Sequence, residues 1–197
     1  LSATDSITGN VTGNVTGNLI GGTAIVTTLS ATDDITISGS VSALGGYCSD
    51  QRSNAYFGTN ALLANTTGAN NTAVGNNSLA TNTEGADNTA SGSAVMYANT
   101  TGARNTAMGR QALQANTEGC DNTAIGSNAM GANTTGTSNV AVGATSMYYN
   151  TTGGMNTAIG RNALLSNTSG SDNTALGAYT LDANTTGTQN TALGRVA

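Results

Sequence analysis

Asn156-Thr157-Ala158-Ile159-Gly160-Arg161-Asn162-Ala163-Leu164-Leu165-Ser166-Asn167-Thr168-Ser169-Gly170-Ser171-Asp172 is one complete 17-residue unit, and Asn173 opens the next. The opening asparagine recurs without a slip at Asn54, Asn71, Asn88, Asn105, Asn122, Asn139, Asn156, Asn173 and Asn190. A glycine stands four positions after each, from Gly58 to Gly194. Eleven positions after the first eight come Asn65, Asn82, Asn99, Asn116, Asn133, Asn150, Asn167 and Asn184, each followed by Thr and, three positions on, by a second glycine. A strict period gives each unit the same neighbours, so the chain reads as a stack of units and not as a globule.

Composition agrees. Hydrophobic residues make up 37% of the 197, much of that alanine, with one Phe, six Tyr and no Trp, too few bulky side chains for one large core. Charged residues are 8%, against roughly 25% in ordinary soluble domains. Proline is absent, which argues against a disordered chain. The net charge is −5, with no Lys and five Arg, so no basic stripe exists to neutralise phosphates and no nucleic-acid partner is expected. No apolar run approaches the ~20 residues of a membrane helix, so no membrane insertion is expected, and the start lacks a signal-peptide pattern. Because the first residue is Leu1, the chain reads as a segment of a longer polypeptide.

Two regions are distinguishable. Residues 1–53 carry a four-residue beat, Thr8-Gly9-Asn10-Val11, Thr12-Gly13-Asn14-Val15, Thr16-Gly17-Asn18-Leu19, too glycine-rich for a helix. Ile35-Thr36-Ile37-Ser38 and Ile25-Val26-Thr27-Thr28 read as short strands, making this a Gly/Thr/Asn-rich β segment in which Gly45-Gly46 marks the junction to the regular array. Residues 54–197 hold eight 17-residue repeats and a partial ninth.

Within a unit, position four is apolar except at Ser91, and position nine is always Leu or Met: Leu62, Leu79, Met96, Leu113, Met130, Met147, Leu164, Leu181. Two glycines and several Asn and Thr per unit exclude a helix. The expected fold is an all-β solenoid, one unit per coil, with one strand around Thr-Ala-apolar and another around small-Leu/Met. Glycines at the corners should supply positive φ or close backbone approach.

Stacking places Asn above Asn at ~4.8 Å, where amides can hydrogen-bond up the column. The competing role is glycosylation, since Asn65, Asn99, Asn133, Asn150, Asn167 and Asn184 each head an Asn-x-Ser/Thr sequon. Asn82 and Asn116 hold the same place without a sequon, so a structural ladder accounts for all eight and glycosylation for six.

The core is thin, with about two large apolar residues per coil. Position three is alanine in eight of nine units and points opposite to position four in a strand, so one face should look inward and the other meet a neighbouring chain. A parallel homotrimer is the expected assembly. Cys48 and Cys120 lie 72 residues apart, a little over four coils or ~20 Å, beyond disulfide reach. Both are expected to be free, with an interchain bridge across a symmetry axis the alternative.

Units such as Asn156-Thr157-Ala158-Ile159-Gly160 with Ala163-Leu164 and Asn167-Thr168 resemble repeats of phage tail-fibre-like proteins, notably of cyanophages, and of related bacterial surface proteins. The Gly9-Asn10-Val11-Thr12-Gly13-Asn14 beat resembles the fibre shafts of the same phages. The Ala-Ile-Gly core is also similar to the head repeats of trimeric autotransporter adhesins, which form a trimeric β-roll from shorter units. The resemblance covers about residues 8–20 and 54–197. It implies a fibre that carries a receptor-binding tip, with other virion proteins and a host surface glycan or protein as partners.

Catalytic chemistry finds no support. Without His, neither a Ser-His-Asp nor a Cys-His arrangement can form within the chain. Two distant Cys cannot supply a zinc site, and Asp87, Asp121 and Asp172 recur too sparsely for a calcium-binding β-roll. No cofactor or metal is expected, and the chain is read as a non-enzyme. The readings that remain are a phage fibre element on the virion, a bacterial surface adhesin or extracellular filament, and an ice-binding solenoid. The last is disfavoured because its Thr-x-Thr strand pattern is absent.

Overall fold

The computed structural model describes residues 52–197. The four-residue beat, the expected strands near residues 25–38, Cys48 and the boundary at residue 53 therefore lie outside or at the edge of the described residues. What is described is a parallel β-solenoid of about eight coils, one 17-residue unit to each. Nine three-residue strands, β1 (Ala55–Phe57), β2 (Thr72–Val74), β3 (Thr89–Ser91), β4 (Thr106–Met108), β5 (Thr123–Ile125), β6 (Val140–Val142), β7 (Thr157–Ile159), β8 (Thr174–Leu176) and β9 (Thr191–Leu193), form one sheet in sequence order. Pairing is parallel and in register throughout, Ala73 beside Ala90 and Ala90 beside Ala107.

The strand resolves which face looks inward. Position three is buried from Ala73 to Ala175, whereas position four points out: Ile125 and Ile159 are 39% exposed and Met108 46%. The inward column is alanine because the opposite wall of the coil is close. The filling comes from position nine, where Leu79, Met96, Leu113, Met130, Met147 and Leu164 are fully buried, and from small residues at position eight such as Ala112, Ala129 and Ala163. Most coils thus contribute one large apolar side chain to the core, with Val95 beside Met96 as a second in one coil.

The second expected strand is absent. The segment around position nine is a hydrogen-bonded turn, because positions seven and nine both take left-handed backbone: Asn128 (φ 57), Met130 (φ 51), Asn162 (φ 57) and Leu164 (φ 52). It still bonds to its neighbours, Leu113 N–H donating to Ala129 C=O at 3.0 Å and Met130 N–H to Ser146 C=O at 2.9 Å. Left-handed backbone costs an L-residue roughly 1–2 kcal/mol. Here it is held by burial of the position-nine side chain and by bonds to the coils on either side.

Candidate functional site

The buried polar residues are the first place to look for chemistry, and they are organised entirely by the stack. In the column of opening asparagines, Asn105 donates its backbone N–H (3.0 Å) and its Nδ2 (3.1 Å) to Oδ1 of Asn88 one coil back. Its Nδ2 also donates to the carbonyl of Gly119, 14 residues ahead, at 2.8 Å. The same set recurs at Asn88, Asn122, Asn139, Asn156 and Asn173. Asn190 donates both bonds to Asn173, and Asn71 donates its backbone N–H to Asn54.

The second column runs in parallel. Asn116 Nδ2 donates to Asn99 Oδ1 at 2.8 Å and to Gly119 C=O at 3.0 Å. Asn65, Asn82, Asn99, Asn133, Asn150, Asn167 and Asn184 occupy the same column. Both columns therefore converge on one corner carbonyl per coil, whose two lone pairs are satisfied by two amides. Among the described residues, every buried side-chain nitrogen and oxygen has a partner.

That convergence explains the corner glycine. Gly119 does not have positive φ. A Cβ there would run into Asn116 Oδ1, come within 2.5 Å of Gly136 O and lie 2.9 Å from Asn133 Nδ2. The other glycine column, such as Gly126 (φ +133), has both positive φ and close approach, with Gly143 C and O each 2.6 Å from an added Cβ. Of the two roles expected of the glycines, close approach is common to both columns and positive φ belongs to one.

Asn99, Asn133, Asn150 and Asn167, which head sequons, are fully buried, with Nδ2 donating to the ladder. Attaching a glycan to Nδ2 would remove a donor that each coil uses and place a bulky polar group in a closed space. The first threonine after each does not pair with its equal up the column. Its hydroxyl donates to the backbone carbonyl of the next coil's threonine, Thr100 Oγ1 to Thr117 C=O at 3.0 Å. A second threonine column, at position two, stands on the outer face of the sheet (Thr72, Thr89, Thr106, Thr123, Thr157, Thr174, Thr191), beside the exposed apolar column.

Ionisable groups are few and superficial. Arg104 grips Asp121 with two bonds, Nε to Oδ1 at 2.7 Å and Nη2 to Oδ2 at 2.9 Å. The Arg104 hydrogen bond is the main cause holding the Asp121 carboxyl below its ordinary value, and it raises the guanidinium in turn. A depressed folded-state pKa adds stability above the unfolded carboxylate range and loses it as pH falls through the depressed value. Arg104→Gln should thus melt slightly below the parent at neutral pH and alongside it once the pH falls below the depressed Asp121 value. A gap that widens toward acid would reverse the sign. The effect should be small, since exposed pairs are screened.

Cys120 is free and partly exposed, its Sγ accepting the Ala103 N–H at 3.3 Å. Among the described residues, no three of His, Cys, Asp or Glu gather into a metal-binding group, and no helix is long and apolar enough to cross a membrane. No protein-family model matches the chain, and neither a curated protein nor a solved structure matches it.

Proposed function

We propose that this chain is a structural fibre protein of a phage virion, a shaft element that works as a parallel homotrimer and projects a receptor-binding tip for host attachment. One observation carries the reading. The polar interior is spent on closing each coil and binding it to the next, while a column of exposed apolar side chains (Val74, Met108, Ile125, Ile159, Leu176), interrupted at Ser91, runs along the strand face. An interior of that kind supports length without a reaction centre. An exposed apolar column in exact register suits copies of the same chain, because parallel copies bring each apolar side chain to the height of its equals. Burying such side chains is favourable by roughly 25 cal/mol per Å². The resemblance of the repeats and of the Gly9-Asn10-Val11 beat to phage fibres supplies the biological setting.

Two measurements test the reading. Native mass measurement of the whole chain should give three copies. Ile125→Asp with Ile159→Asp should convert it to single chains, because six carboxylates would face one another across the axis. A folded, stable monomer of the parent chain would refute the trimer. Immunogold labelling with antibodies against the chain should decorate fibres on virus particles; gold on cell envelopes and none on particles would establish the surface-adhesin reading instead.

A further inference from the structure

The turn side of the coils varies from unit to unit, and two tyrosines meet there next to a glycine. At position ten, Gly131 leaves the room that the Tyr148 ring of the next coil fills; a Cβ on Gly131 would lie 2.7 Å from Tyr148 Cε2. Tyr149 follows, 53% exposed, its ring edge-on to Tyr148 with centroids 4.8 Å apart. Together with Asn128, Thr145, Asn162 and Leu165 the two tyrosines line an open depression of about 270 Å³.

We propose that this depression binds a neutral saccharide. Its size is near the lower end of small-ligand sites, the scale of one or two sugar rings. The tyrosines offer apolar ring surface with a polar tip, which suits a ligand having an apolar C–H face and a hydroxyl rim. Part of the polar lining is left free. The Thr145 hydroxyl, with one proton to give, lies against both the Ala144 carbonyl and Asn162 Oδ1, while Asn162 Nδ2 has no acceptor and the Asn128 side-chain amide makes no hydrogen bond among the described residues. Nearer the start of this column one amide pair does form, Asn60 Nδ2 donating to Asn77 Oδ1. Asn128, Thr145 and Asn162 rise at one coil per step, ~4.8 Å, and line the depression beside the rings. No charged residue lines the depression, which favours hydroxyl recognition over anion capture. The site is off the strand face, so it stays open in an assembly formed through that face. It does not depend on the fibre reading, since saccharide binding and particle labelling are scored separately.

The test is saturation-transfer NMR of the whole chain with maltotriose, cellotriose, chitotriose and a sialylated trisaccharide. Transfer to the ring protons of at least one neutral sugar is expected. Tyr149→Ala should weaken binding about tenfold, and Asn128→Ala severalfold. Tyr97→Ala, at the same turn two coils or more away, should leave binding unchanged, and all three variants should melt with the parent because these side chains are outside the core. No transfer to any neutral sugar, transfer confined to the sialylated one, or equal binding by Tyr149→Ala would overturn the proposal.

Discussion

Gly119→Ala is expected to destabilise the chain by about 3–6 kcal/mol, the sum of overpacking and of buried amides left without acceptors. The added methyl lies 2.5 Å from Gly136 O, which is itself the acceptor for Asn122 and Asn133. Relief requires either that carbonyl or the Asn116 amide to move, and each movement breaks bonds in two coils. Gly119 O would also shift away from Asn105 and Asn116. The internal control is Gly154→Ala. Position sixteen holds alanine in other units, as at Ala86 and Ala103, and an added Cβ at Gly154 meets nothing closer than Thr137 O at 3.1 Å. Thermal melting should separate the two by more than 10 °C for a described array of this size. Equal melting would mean that the corner carbonyl does not organise the coil.

Why Gly119 should matter was only half legible in the sequence. The period, the coil length, the parallel stack and the facing of Asn on Asn could all be read from the spacing. The convergence of two asparagine columns on one carbonyl could not, because residues 105, 116 and 119 meet only after the coil has closed. The missing second strand has a different cause. Leu113 and Met130 carry no mark of left-handed backbone, which sequence patterns associate with Gly, Asn and Asp. Position nine looks like a strand core residue because it is apolar and buried; its φ is imposed by the bonds to adjacent coils. The inward face of the strand was ambiguous as well. Ala107 and Met108 are both apolar, and a period of two cannot say which one faces the core. The larger residue was the natural choice for the interior, yet the narrow coil admits only the smaller.

Deleting residues 71–87 should shorten the array by one coil and leave it folded, with melting within a few degrees of the parent. Asn88 would then donate to Asn54 Oδ1 as Asn71 does now, and every remaining column would stay in phase. Deleting only residues 71–78 moves Leu79 toward the place of Asn71 and puts apolar groups opposite amide acceptors. Each orphaned buried amide costs about 1–3 kcal/mol, so that chain should lose the cooperative transition of its first coils. A third deletion tests whether the units are interchangeable. Removing residues 122–138 also keeps the register, but it takes away Gly131 and sets Tyr148 beside Gln114, whose Cβ would occupy the space that the ring now uses. The ring must swing outward, at a cost of about 1 kcal/mol in lost packing and rotamer strain. The expected melting order is residues 71–87 removed, then 122–138 removed, then 71–78 removed. If the first falls with the last, register does not govern the stack. If the first two are equal, Gly131 and Tyr148 are not a matched pair, and the depression beside them is an accident of the surface.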